Sequence, residues 1–166
     1  MSHTPPIYLL TDANILIDLA QAKALHLLRQ VIHAEIATLV IPRCVYEEVR
    51  SEISEMQILE LGITMVHIPL ELKIEAVNMD EKRLSETDKT LLLFARKKQY
   101  SVWTNDSALH VKCKENGVSV FWEFEILLKL YKVRLVTAND LLELAGTIET
   151  INPRMKRMRE RLLQDL

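Results

Sequence analysis

The feature that most narrows what this chain can fold into is a repeated change of hydrophobic period. Short continuous apolar runs at residues 7–11, 38–42, 63–68, 101–103 and 118–122 are separated by longer stretches in which apolar side chains recur every three or four positions. A continuous apolar run is the mark of a strand buried on both faces, and the three-to-four spacing is that of an amphipathic helix. Parallel strands need crossover helices between them. The alternation therefore predicts an α/β fold, a three-layer α/β/α sandwich with a mostly parallel central sheet of about five strands and additional C-terminal helices.

Local signals place the boundaries. Ile15, Leu16, Leu19, Ala22, Leu25 and Leu28 predict one helix over 13–31, and Val45, Val49, Ile53 and Met56 predict another that ends at Gly62. Pro42 and Pro69 stop strands. Further helices are expected over 70–79, over 87–98 after the N-cap Ser85, from Asp106 to Gly117, and from about 125 to 130. Thr137 then caps a helix to about Glu149, and Pro153 opens a last amphipathic helix with Met155, Met158 and Leu162 facing inward. This divides the chain into a domain at 1–136 and a helical extension at 137–166 packed on it.

Composition excludes several classes. With 166 residues and 49% hydrophobic content the chain is long enough for one core, and no run approaches the roughly 20 apolar residues that span a bilayer. The opening Met-Ser-His-Thr-Pro-Pro has neither a basic start nor an apolar stretch, so a soluble, cytoplasmic protein without membrane contact is expected. Cys44 and Cys113 lie far apart and are read as reduced thiols. A net charge of -2 argues against binding nucleic acid by global basicity, although Arg96-Lys97-Lys98 and the set Arg154, Lys156, Arg157, Arg159 and Arg161 are local basic clusters. The second set is the better candidate for contact with an RNA backbone.

The acids carry the chemistry. In an open parallel sheet, ligands bind beyond the carboxyl ends of the strands. Asp12 follows the first strand, Asp106 follows the fourth, and Glu48 and Asp88 lie near the starts of helices at that edge. Taken singly, Asp12, Asp88 and Asp106 read as helix caps and Glu48 as a solvated charge, like Glu47, Glu52 and Glu55. Together they form one acidic rim, and hard oxygen donors in such a group select Mg²⁺ or Mn²⁺. No pair among His3, His26, His33, His67 and His110 has ligand spacing, and three glycines leave no room for a phosphate-cradling loop. Asn14, two residues past Asp12, suits either a turn or the orientation of that carboxylate. Thr104 and Ser107 read as local caps within reach of Asp106, and Trp103 and Trp122 as core more than stacking platforms.

Four segments then resemble a known family in order and spacing. Leu-Leu-Thr-Asp-Ala-Asn-Ile-Leu-Ile-Asp-Leu at 9–19 resembles the opening motif of PIN domains, and Ile-Pro-Arg-Cys-Val-Tyr-Glu-Glu-Val at 41–49 their second, with Glu48 as its acid. The segment 84–95 around Asp88 is similar to the third, and Trp-Thr-Asn-Asp-Ser-Ala-Leu at 103–109 to the fourth. Glu86 beside Asp88 leaves two carboxylates for the third position, and 137–166 extends past the matched part. The resemblance implies a PIN-like fold and divalent-metal-dependent hydrolysis of RNA, with Asp12, Glu48, Asp88 and Asp106 as catalytic and metal-binding residues. Asn14, Thr104 and Ser107 would support them. It also implies homodimers and, in prokaryotes, toxins of the VapC type held by an antitoxin protein.

Two other readings start from the same residues. The first is a PIN-like RNA-binding or scaffold protein without catalysis. The second is an aspartyl-nucleophile phosphatase, which generally wants a second Asp where Asn14 stands.

Overall fold

A computed structural model of the chain describes residues 7–166; the reading of the opening segment, with His3, lies outside the described residues. The first strand, β1, is Ile7–Thr11, followed by helices α1 (Ala13–Gln21) and α2 (His26–His33). Strand β2 (Ala37–Pro42) leads into α3 (Arg43–Val49) and α4 (Glu55–Glu60), and β3 (Thr64–Val66) into α5 (Leu70–Asn78) and α6 (Glu86–Lys98). Strand β4 (Ser101–Trp103), α7 (Ser107–Glu115), β5 (Val120–Phe121) and α8 (Glu123–Lys132) complete the alternation. Helix α9 (Ala138–Ile151), a 3₁₀ turn at Pro153–Met155 and α10 (Lys156–Asp165) follow.

All strand pairs are parallel, in the order β3-β2-β1-β4-β5, which bears out the α/β reading. Leu9, Leu10 and Thr11 are consecutive in β1 and all fully buried, so both faces of the sheet are covered. Helix α6 packs on α5 and α7, while α1 packs on α3 and α9, and α2 on α8. Successive strands are laid down from β1 towards β3 and then from β4 towards β5. The order thus reverses between β1 and β4, where the crossovers diverge and leave a crevice at the strand carboxyl ends.

Two of the expected long helices are divided. The helix over 13–31 breaks after Gln21, because Lys23 takes a left-handed conformation (φ 57) and the chain restarts at His26. The helix expected up to Gly62 breaks after Val49, and Ser54 starts α4 with a reciprocal capping box to Gln57. In both cases apolar spacing continues through the break, since side chains on each piece still reach the same core. The third and fifth strands are shorter than their apolar runs, at three and two residues.

The extension is part of the same packed body. Met155 and Leu162 are buried, α9 packs on α1 and α8, and α10 packs on α8 and α9. Among the described residues, no helix is long and apolar enough to cross a membrane.

Candidate acidic site and adjoining cleft

Strand register explains why residues far apart in sequence meet. Thr11 pairs with Trp103, so the next residues, Asp12 and Thr104, lie side by side at the carboxyl edge. The Thr104 hydroxyl donates to Asp12 Oδ2 at 2.6 Å across 92 residues of chain, and the Asp12 amide donates to the Trp103 carbonyl at 3.0 Å. Thr104 Oγ1 in turn accepts from the Asp106 N–H at 3.0 Å. One hydroxyl thereby ties the first acid to the backbone of the fourth. Asp12 Oδ1 accepts from the Ala13 N–H at 2.7 Å and caps α1, so the capping reading of this residue is correct as far as it goes.

Asn14 belongs to the same network. Its Nδ2 donates to Asp12 Oδ2 at 3.4 Å and to Thr104 Oγ1 at 3.5 Å, while its Oδ1 accepts from the Asn105 N–H at 3.3 Å. It thus spans from α1 to the turn after β4. Ser107 is exposed and borders the cleft described below, apart from these bonds.

The other acids arrive on two helices. Asp88 forms a capping box at the start of α6, its Oδ2 accepting from the Ser85 N–H at 3.0 Å. Glu48 lies in the last turn of α3 and accepts from the Thr87 hydroxyl at 3.0 Å, which joins α3 to α6. Asp106 Oδ1 accepts from the Leu109 N–H at 2.8 Å as the N-cap of α7. Three of the four acids therefore keep one carboxylate oxygen without a hydrogen-bond donor among the described residues.

Electrostatics show that the four share one region. Asp12 is only 5% exposed; burial, with repulsion from Asp88 and Glu48, outweighs its hydrogen bonds to Thr104 and Ala13 and lifts its pKa from 3.8 to about 6. Asp88 is also raised, mainly by burial and then by Asp106. Cys113, fully buried on α7, is pushed up to about 12 by burial and by the charges of Asp88 and Asp12, which places it beneath the acids as an unreactive core thiol. Of the two carboxylates in the third motif, Asp88 is the one coupled to Asp12 and Asp106. Glu86 is exposed.

Clustered carboxylates with free oxygens match the donor chemistry of a hard divalent cation. Among the described residues, however, no three His, Cys, Asp or Glu side chains stand close enough to share one ion. The rim is assembled but open.

A second acidic pair went unseen in the sequence. Glu123 is fully buried and Asp18 nearly so, on α8 and α1 respectively. Asn105 Nδ2 donates to Glu123 Oε2 at 2.7 Å, and the Glu123 N–H donates to Asn105 Oδ1 at 3.1 Å. Burial first, and then the neighbouring Asp18 charge, raise Glu123 well above the ordinary carboxylate range. Burial alone raises Asp18, to about 6. Glu123 Oε1 and Asp18 Oδ2 are both buried without another partner, so a proton held on Glu123 and directed at Asp18 satisfies both. The pair anchors Asn105, and with it the turn that carries Asp106.

The five basic residues of the extension divide. Arg154, Arg157 and Arg161 line a cleft of about 560 Å³ together with Asn14, Asn105, Asp106 and Trp122. Arg159 instead bonds Glu149 of α9 at 2.9 Å, and Lys156 is exposed and does not line the cleft. The Arg96-Lys97-Lys98 cluster faces α5, where Arg96 meets Glu75 at 3.4 Å and Lys97 meets Glu71 at 3.6 Å.

With this geometry in view, the known structures give the fold a class. The chain matches a PilT N-terminus domain protein from the hyperthermophilic archaeon Sulfolobus solfataricus P2 at 15% identity and a TM-score of 0.51, over 74% of this chain and 92% of that one. A second match is PAE2754 from Pyrobaculum aerophilum, at 17% identity and a TM-score of 0.47, over 76% and 91%. No family model matches the sequence, and no curated protein does. The architecture is thus that of a PilT N-terminus, or PIN, domain, with an acidic rim at the sheet's carboxyl edge.

Because Thr104 holds both Asp12 and the Asp106 backbone, Thr104→Val should cost about 1–3 kcal/mol of stability by orphaning buried polar groups. It should also lower any metal-dependent activity on the order of 10- to 100-fold. Denaturant melts beside cleavage assays check both effects; unchanged activity in a folded variant would show that Thr104 does not position the acids.

Proposed function

We propose that this protein is a Mg²⁺- or Mn²⁺-dependent endoribonuclease. The observation that carries the reading is the convergence of Asp12, Glu48, Asp88 and Asp106 on one rim at the reversal of strand order, where the charges of Asp88 and Glu48 raise Asp12 and that of Asp106 raises Asp88. A divalent cation would be held there by Asp12, Asp88 and Asp106, with Glu48 completing the set, once these side chains draw closer than they stand in the structure; it would supply an activated water and neutralise charge growing on a phosphodiester. Thr104 and Asn14 hold Asp12 in place, and the capping bonds of Asp88 and Asp106 aim their remaining oxygens. Arg154, Arg157 and Arg161 supply phosphate contacts in the adjoining cleft. Their position beside an otherwise acidic rim favours a nuclease over the non-catalytic scaffold reading, because it offers a path for a polyanion up to the acids.

Incubating end-labelled RNA with the protein and Mn²⁺ tests this. Internal cleavage that EDTA abolishes is expected; intact RNA across Mg²⁺ and Mn²⁺ concentrations would favour the scaffold.

The reading extends to partners. Leu70, Ile74 and Val77 form an exposed apolar stripe on α5, at spacings of four and three residues. We assign this stripe to a homodimer interface, and a toxin role would add an antitoxin covering the arginine cleft. Leu70→Glu with Ile74→Glu should convert the dimer to monomer in sedimentation velocity; a parent protein that is already monomeric at high concentration would overturn the assignment.

A further inference from the structure

We infer that Trp122 is the base-stacking platform of a nucleotide subsite, in which a single unpaired base lies on the indole while Arg154, Arg157 and Arg161 hold the flanking phosphates. The inference rests on the nuclease reading for the identity of the strand as RNA.

Trp122 lies immediately after β5, at the carboxyl edge that also carries Asp12 and Asp106. One face of its ring is already occupied. The His110 imidazole stacks on it with 3.4 Å between ring centroids and 12° between planes. His110 is itself fixed, with Nε2 at 2.7 Å from the Thr104 carbonyl, and burial lowers its pKa, so it presents a neutral ring. The Trp122 carbonyl accepts from the buried Trp103 indole at 3.2 Å. Backbone and one ring face are thus held before any ligand arrives, which removes most of the ordering cost of stacking.

Part of the indole borders open space. Trp122 is only partly buried and borders both the 560 Å³ cleft with the three arginines and a neighbouring one of about 220 Å³ along α10. Met158 and Arg161 border the two clefts together, so they form one path past the tryptophan. No acidic side chain pairs with Arg154, Arg157 or Arg161 among the described residues, in contrast to Arg159. A rigid, partly exposed aromatic at the wall of a cleft, next to unpaired guanidinium groups, is suited to a strand whose bases are exposed. A duplex keeps its bases stacked on each other and offers this ring nothing. The cleft ends at Asp106 and Asn14, which puts the stacked base within a few nucleotides of the acidic rim.

The test uses the chain of residues 1–166 in EDTA, where binding is read without cleavage, by fluorescence anisotropy of end-labelled strands for every variant and by tryptophan quenching for the parent. Trp103 is fully buried, so quenching of tryptophan fluorescence by a short oligouridylate reports on Trp122. Saturable quenching by the oligouridylate, and little by a blunt RNA duplex of the same length, is expected. Trp122→Leu should weaken binding of the oligouridylate on the order of tenfold, which is about 1.4 kcal/mol. It should leave the affinity for an abasic strand of equal length unchanged. Trp122→Phe should retain most of the affinity, and Arg157→Ala should weaken both strands. Equal quenching by duplex and single strand, or a folded Trp122→Leu with undiminished affinity for the base-bearing strand, would overturn the subsite. Stacking without any Mn²⁺-dependent cleavage would instead remove the nuclease reading and leave the subsite standing.

Discussion

Replacing Asp12 with Asn should yield a protein that is more stable without metal and catalytically dead. Asp12 is a buried carboxylate whose pKa rises from 3.8 to about 6, mainly through burial. A carboxyl raised in this way binds its proton more tightly in the folded chain, so its contribution to stability is fully present below about pH 4 and is lost as pH rises through about 6. At neutral pH the ionised group therefore costs the fold about 3 kcal/mol. Asparagine removes the charge, but its amide faces the Thr104 hydroxyl that now donates to Asp12, so the net gain should be about 1–2 kcal/mol. Denaturant melts in EDTA at pH 7.5 should show this gain, and at pH 4, where the parent's carboxyl is protonated in the fold, the order should reverse, with the parent the more stable by about 1 kcal/mol. The same change should lower Mn²⁺-dependent cleavage at least about a hundredfold, since a catalytic metal supplies several kcal/mol of charge stabilisation. A variant less stable than its parent at pH 7.5 and equally active would contradict both halves.

The second large effect is expected at Glu123. A glutamine there reproduces the protonated acid, with an amide to donate towards Asp18 and an oxygen to accept from Asn105. Glu123→Gln should thus match the parent at acid pH and exceed it at alkaline pH, because only the parent must carry a raised, buried acid through ionisation. Glu123→Ala should lose about 3–5 kcal/mol, since it leaves the Asp18 charge buried without the Glu123 proton and frees the Asn105 side chain that bonds Glu123. Loosening Asn105 also loosens the turn bearing Asp106, so the alanine variant should lose activity at temperatures well below its melting point. Paired thermal melts from pH 5 to pH 9 distinguish the two substitutions; indistinguishable pH profiles for parent and Glu123→Gln would show that the two acids do not share a proton.

Particular residues show what could be read beforehand. Asp12 and Asp106 were legible because each follows a run that only a buried strand explains, and strand ends in a parallel sheet share an edge. The parallel order itself followed from the alternation. The break at Lys23 was not legible, because a left-handed residue other than glycine leaves no mark on apolar spacing. The break before Ser54 did leave a signal, Ser-x-x-Gln, which the continuing apolar spacing overrode. Glu123 sits in the run Glu-Phe-Glu, which reads as the solvated face of a helix, and Asp18 in Ile-Asp-Leu reads alike. Their burial depends on α1 meeting α8 in space, which no local pattern records. Trp122 reads as core, and the structure half agrees: His110 stacks on its ring, while the residue stays partly exposed at the cleft. The basic extension could be recognised as a cluster, but only the helix placement separates the arginines that line the cleft from Arg159, held by Glu149.

Under the nuclease proposal, acids from four separate elements cooperate in holding one kind of ion. Titrating the protein with Mn²⁺ and following the free ion by electron paramagnetic resonance tests it most directly. Saturable binding at millimolar concentration or tighter is expected, weakened at least about tenfold in each of Asp12→Asn, Asp88→Asn and Asp106→Asn. Mn²⁺ that stays free over that range, or binds equally well to all three variants, would contradict it.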